Sequence, residues 1–324
     1  MKTYLKGLLL SSALLVLFAL PVCATEKAES KTLNVELVNG EITMAEGIVF
    51  AQGAGRGVST YALAMDVLQP KSDKPLPLIV FVTGGGFIMA PRTNWIQQRM
   101  KLAENGYVVA SIEYRFAPNG RFPQPLEDVK SAIRWLRAHA ERFNIDTKRV
   151  GVLGNSAGGY LSAFTGVTSG STEFDKGEYL DQSSSVLCAA DIFGLSDLTV
   201  IGADFSEEVQ RGHRSAGATE ALWVLGTPTF GGKDGGINAH PEEAAKANPI
   251  NYINEKSAPM LLMHGTADTL VSPSQTDLLF QALRAKGIES ERYIVEGAAH
   301  GGPYWVQEPV MKIIVDFFDK YLKK

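Results

Sequence analysis

Short, unbroken apolar runs separated by helix-length amphipathic stretches constrain this chain more than any other feature. Leu78-Ile-Val-Phe-Val is one such run, and residues 107–114, Arg149-Val-Gly-Val-Leu-Gly, 185–194, 258–264 and 291–295 repeat the theme. A strand with one wet face alternates apolar and polar residues, whereas a strand covered on both faces does not. Between the runs, residues 95–105 read as a helix ended by Gly106. Leu126, Val129, Ile133, Leu136 and Ala140 draw a 3.6-residue stripe along a long helix at 125–143. Residues 157–167 open another helix, and residues 307–322 read as a C-terminal amphipathic one. Strands alternating with helices at this spacing predict an α/β fold, a mostly parallel sheet covered by helices on both faces. Residues 61–68, closed by Gln69-Pro70, add an earlier strand, and the polar stretch 26–46 leads into a first one.

One segment breaks the rhythm. Residues 199–248 lie between two buried runs and exceed what a single crossover needs, with Gly231-Gly232, Gly235-Gly236 and helical stretches near 206–210 and 220–225 inside them. A long insertion at the carboxyl end of a strand predicts a lid or binding loop. Nothing else divides residues 25–324, so a single domain is expected there. Ahead of it, Lys2 and Lys6 precede the apolar residues 7–20, and Pro21-Val22-Cys23-Ala24 supplies a helix breaker and small residues. That is the pattern of an export signal, residues 1–24, cleaved after Ala24. The apolar run falls short of the roughly 20 residues that span a bilayer. Periplasmic or secreted localisation is therefore expected, without a stable membrane span once the signal is gone; Cys23 leaves a lipoprotein as the minor alternative. Cys188 then has no disulfide partner, and its apolar neighbours predict a buried thiol. A net charge of −4, with no long run of Lys and Arg, argues against nucleic acid as a partner.

Gly154-Asn155-Ser156-Ala157-Gly158 fits the pattern G-x-S-x-G, with a buried strand before it and a small-residue helix after it. A nucleophile elbow needs that context, because glycines let the chain turn sharply and lift the serine hydroxyl out of the sheet edge. The competing reading is a Gly-Ser turn with Ser156 as a plain helix N-cap; strand, elbow and helix in succession favour the first. A serine hydroxyl needs a base. The five histidines are His139, His213, His240, His264 and His300. His300, in Glu296-Gly-Ala-Ala-His-Gly-Gly after the last predicted strand, stands where the chain order serine, acid, histidine puts the base. His264 is expected to hold a turn and His139 to sit near a solvated helix end; at His213 and His240 a substrate role competes with a structural one. No H-x-H or H-E-x-x-H spacing predicts a metal. Asp268, in His264-Gly-Thr-Ala-Asp, is the expected acid, with Asp191 and Asp197 as competitors. Backbone donors for an oxyanion are expected from Ala157 and from Thr83-Gly84-Gly85-Gly86-Phe87. No G-K-[ST] follows those glycines, which argues against a phosphate cradle. Trp95 and Trp305 are open between pocket lining and core.

These motifs, together with Ala110-Ser-Ile-Glu-Tyr-Arg, Phe122-Pro-Gln-Pro-Leu-Glu-Asp-Val and Ala247-Asn-Pro-Ile, resemble the α/β-hydrolase esterases grouped with bifunctional carbohydrate and feruloyl esterases. The hormone-sensitive-lipase-like carboxylesterases are similar too. The resemblance spans residues 60–320. It implies the α/β-hydrolase fold, ester hydrolysis through an acyl-enzyme, acetyl or feruloyl esters of plant polysaccharide or related small esters as substrates, and no cofactor. By motif position it makes Gly85, Gly86 and Ala157 the oxyanion donors. Two features depart from it: Thr83 stands where these families usually carry His, and residues 199–248 fit the pattern poorly and are expected to shape the acyl or alcohol pocket. A serine peptidase of the prolyl-oligopeptidase kind shares the triad but usually carries a propeller that these residues do not contain. A non-catalytic binding protein on the same fold commonly loses a triad member, and none is missing here. The sequence does not set the oligomeric state.

Overall fold

In the computed structural model, which describes residues 30–38, 40–55 and 58–324, the apolar runs are strands of one eight-stranded sheet. The expected export signal, residues 1–24, lies outside the described residues. Two strands open the fold, β1 (Ile42–Gly55) and β2 (Val58–Pro70), followed by β3 (Leu76–Val82), α1 (Ile96–Glu104) and β4 (Val108–Ile112). Next come α2 (Gln124–Ala138), the single turn α3 (Ala140–Phe143), β5 (Ile145–Asn155), α4 (Ala157–Val167) and β6 (Cys188–Ile192). The insertion carries α5 (Glu207–His213), α6 (Thr219–Leu225) and α7 (Pro241–Lys246). The chain closes with β7 (Met260–Gly265), α8 (Ser274–Ala285), β8 (Ser290–Val295) and α9 (Glu308–Leu322).

The strand order is β1-β2-β4-β3-β5-β6-β7-β8. β1 pairs with β2, and β2 with β4, antiparallel; every later pairing is parallel. The expected mostly parallel sheet is therefore present, with an antiparallel hairpin along one edge. Residues Asn39–Lys324 form one compact unit. Among the described residues no helix is long and apolar enough to cross a membrane.

Alternation along the central strands explains why they read as unbroken apolar runs. Leu78, Val80 and Val82 of β3 join a core roofed by α2, α4 and α8, while Ile79 and Phe81 join a second core roofed by α1 and α9. All five are 0% exposed. Each such side chain contributes roughly 1.5–3 kcal/mol through burial, so two apolar faces are what the strand needs. Leu126, Val129, Ile133 and Leu136 form the predicted buried stripe. The single helix expected over 125–143 is, however, split at His139, which ends α2 and stacks on Trp135 at 3.9 Å between ring centroids. Cys188 is buried as expected, and burial pushes its thiol well up.

The insertion is a cap with its own anchor. Trp223 of α6 is fully buried against Phe87, at 4.5 Å between ring centroids, and against Tyr114 and Tyr160. Phe122 N–H donates to the Trp223 carbonyl, and Tyr160 O–H to the Ala247 carbonyl. At the base of the cap the two ends are stitched together. Leu198 N–H donates to Asn248 Oδ1 at 2.9 Å, and Asn248 Nδ2 donates to Asp197 Oδ1 at 2.9 Å.

Candidate active site

β5 delivers Ser156 to the carboxyl edge of the sheet, and α4 starts on the next residue. Ser156 sits at φ +57°, ψ −124°, a conformation that costs an L-residue on the order of 1–3 kcal/mol. Close packing under the turn leaves no room for side chains. A Cβ on Gly158 would stand 2.0 Å from the Val82 carbonyl oxygen, and one on Gly154 2.1 Å from that of Gly158. The strained turn is held from both sides, by Ser156 N–H donating to the Ile192 carbonyl and Tyr160 N–H to the Ser156 carbonyl, each at 2.9 Å. The elbow reading of G-x-S-x-G therefore describes the local structure, and the plain N-cap reading does not: the Ser156 side chain makes no cap hydrogen bond.

The structure brings Ser156, His300 and Asp268 into one relay. His300 Nε2 lies 2.7 Å from Ser156 Oγ, and His300 Nδ1 lies 2.7 Å from Asp268 Oδ2. With a carboxylate as acceptor, Nδ1 carries the proton, which leaves the Nε2 lone pair facing the hydroxyl. Asp268 Oδ1 accepts from the Leu270 and Val271 amides at 2.9 and 3.0 Å. The Asp268 side chain is fully buried. Burial pushes the carboxyl up, but His264, His300 and the Val271 amide outweigh it and hold it well below the usual carboxylate range. His264 does hold the turn, as expected, and does more. Its Nε2 reaches both Asp268 Oδ2, at 3.1 Å, and the Val271 carbonyl, at 3.0 Å, so the acid is shared between two imidazoles.

The competing acids stand outside the relay. Asp197 caps the short turn Leu198–Val200 through the Thr199 amide. Asp191 is fully buried on β6, and burial pushes its carboxyl up to about 8. His240 meets the Asp234 carbonyl on the surface of the cap.

Gly84, Gly85, Gly86 and Ala157 line the same cavity as Ser156 and His300, of about 400 Å³. The fit of the glycine loop is tight, since a Cβ on Gly84 would stand 2.5 Å from the Asn155 carbonyl oxygen. Ala157 is the first residue of α4, so its amide has no partner within the helix. Where the resembling families carry His, Thr83 is buried and its carbonyl accepts from Tyr114 O–H at 2.9 Å, an anchor that sequence reasoning did not identify. The two tryptophans divide. Trp95 lines the cavity, whereas Trp305 is core and donates its indole N–H to the Ala299 carbonyl. Ile201, His213, Thr219 and Glu220 bring the cap into the cavity wall, as expected of a pocket-shaping insertion.

A mostly parallel sheet of this order, with a serine on a strand-to-helix elbow and the acid and histidine on later loops, defines an α/β-hydrolase. The chain belongs to the BD-FAE family, whose model matches residues 65–283. That span is shorter than the 60–320 expected and ends before His300. Esterase LipC of Mycobacterium tuberculosis is 31% identical over 244 residues, covering 74% of this chain and 57% of that protein. A probable isoprenylcysteine alpha-carbonyl methylesterase, ICMEL1 of Arabidopsis thaliana, is 27% identical, covering 79% of this chain and 52% of its own. The chain thus spans about half the length of the curated relatives it matches. Among solved structures, a truncated carbohydrate esterase from gut microbiota superposes with a TM-score of 0.73 at 26% identity, covering 87% of this chain and 97% of that one.

Proposed function

We propose that this chain is a serine carboxylic-ester hydrolase acting through an acyl-enzyme, exported by its N-terminal signal. The observation that carries the reading is the continuous relay from Ser156 through His300 to Asp268, both links at 2.7 Å. Ser156 Oγ attacks the ester carbonyl carbon while His300 Nε2 takes its proton. The amides of Gly85, Gly86 and Ala157 receive the negative oxygen. When the intermediate collapses, the alcohol leaves with the proton from Nε2, and water repeats the two steps on the acyl-enzyme. Asp268, ionised throughout the neutral range, fixes the imidazole tautomer and stabilises the imidazolium. No cofactor enters these steps.

Acetyl or feruloyl esters of plant polysaccharide, or related small esters, are the substrates in this reading. The carbohydrate-esterase neighbour and the family supply its support, and a largely apolar cavity of about 400 Å³ suits a compact ester. The test is hydrolysis of short p-nitrophenyl esters and of acetylated and feruloylated xylo-oligosaccharides, comparing wild type with Ser156→Ala. Turnover should fall by about 10⁴ or more in the variant. Equal turnover in the two proteins excludes Ser156 as nucleophile, and inert wild type excludes the esterase.

A further inference from the structure

The cap places a second histidine–carboxylate pair in the wall of the cavity. His213, the last residue of α5, and Glu220, in the first turn of α6, meet with Nδ1 2.7 Å from Oε1. Both line the cavity that Ser156 and His300 line. Glu220 has a side chain only 4% exposed, so its carboxylate has lost most of its water. Apart from the pair with His213, it is met by its neighbour Thr219 Oγ1 at 3.4 Å. A buried carboxylate of this kind is stable only when a donor faces it. The donor is His213 Nδ1–H, and in that tautomer of the imidazole Nε2 is a hydrogen-bond acceptor.

That acceptor is free. Among the described residues Nε2 of His213 has no hydrogen-bond partner, and the side chain keeps 25% of its exposure. The ring edge bearing Nε2 lies over Gly202, where a Cβ would stand 2.8 Å from Cδ2, so the glycine leaves the imidazole its place. The rest of the cavity wall is unlike it. Phe87, Met89, Trp95, Phe193, Leu195 and Leu270 make it mostly apolar, Asn94 and Asn155 add neutral polar groups, and among its lining residues only His300, His213 and Glu220 can carry charge. The cavity therefore has two poles that can carry charge, His300 in the relay and the His213–Glu220 pair in the cap.

We propose that His213, oriented by Glu220, accepts a hydrogen bond from a hydroxyl group of the substrate and so selects hydroxylated esters over plain ones. This rests on the serine-esterase reading above and goes further, by naming a specificity residue for the same site. The hydroxyl is carried either by the acyl group, as the phenol of a feruloyl ester, or by the alcohol, as a sugar hydroxyl. An apolar pocket alone discriminates poorly against an added hydroxyl, whereas a site built to pair with one discriminates strongly against its loss.

The experiment uses two matched substrate pairs, methyl ferulate beside methyl 3,4-dimethoxycinnamate and acetylated xylobiose beside p-nitrophenyl acetate. Each is assayed with wild type, His213→Phe, His213→Gln and Glu220→Gln. In His213→Phe the kcat/KM for the hydroxylated member of one pair falls about tenfold further than for its partner, mainly through KM. His213→Gln, which keeps an acceptor oxygen, recovers part of that preference, and Glu220→Gln, which frees the tautomer, lowers it by less. A preference lost in the ferulate pair assigns the hydroxyl to the acyl group; one lost in the xylobiose pair assigns it to the alcohol. Equal losses on both members of each pair overturn the proposal, because the pair then only holds the cap together. Preserved preference in His213→Phe overturns it as well. If wild type turns over none of the four esters, the serine-esterase reading fails and this one falls with it.

Discussion

At Gly158 a methyl group has nowhere to go, because the nearest atoms belong to the backbone of the central strand β3 rather than to a side chain that can swing away. Gly158→Ala is therefore expected to lower stability by about 1–3 kcal/mol and to misplace the Ser156 hydroxyl. Thermal unfolding and kcat on a p-nitrophenyl ester, measured together, check this. An unchanged kcat would show that the elbow tolerates the shift. The three residues of the relay were legible from sequence because the chain order serine, acid, histidine and the flanking strands place each at the same sheet edge. The partners of those residues were not. His264 was read as holding a turn, and its bond to Asp268 depends on where Val271 returns. His213 and Glu220 meet only because the turn between α5 and α6 brings the end of one helix to the start of the next, a contact that no periodicity announces.

Among the elements, the cap rests most heavily on α6. Trp223 is fully enclosed, and replacing so large a buried ring with alanine typically costs about 3–5 kcal/mol. Because Trp223 joins the cap to Phe87, beside the glycine loop, Trp223→Ala should raise KM. It should also speed hydrogen exchange in α5 and α6 while β5 stays protected. Loss of protection across the whole sheet would instead make the cap part of the folding core. The strands were legible as apolar runs, and α4 and α9 were found within a residue of their observed ends. α8 was not assigned. It buries only Leu279 and Leu283 among its large apolar residues, and in the sequence it hides behind the loop that carries Asp268. The split between α2 and α3 was missed for a related reason. The apolar stripe runs through His139 to Ala140 without a glycine or proline to mark the stop.

Across the whole molecule, stability is also linked to pH through a group outside the relay. Asp191 ordinarily titrates near 3.8, and burial pushes it up to about 8 in the folded protein. The folded state therefore holds this proton more tightly than the unfolded chain, and stability falls as pH rises through that window. Asp191→Asn removes the titration. The variant should match wild type near pH 4 and gain on it steadily toward pH 8, by up to about 1.4 kcal/mol per pH unit. Unfolding temperatures compared across that range decide it, and a constant difference would mean that the carboxyl is charged in the fold. Asp268 acts in the opposite sense, its contribution being complete above 3.8 and lost only in stronger acid.

The clasp between Asp197, Leu198 and Asn248 has a consequence for how such a molecule diversifies. A chain segment whose entrance and exit are fastened side by side can change in length without pulling its two anchor points apart. Ser156, Asp268 and His300 all stand outside the clasped segment. The cap can therefore be exchanged as a cassette on one condition: a sequence grafted between the same two anchor points must also fill the place of Trp223 against Phe87, Tyr114 and Tyr160, and it would then bring a different substrate preference to the same reactive residues.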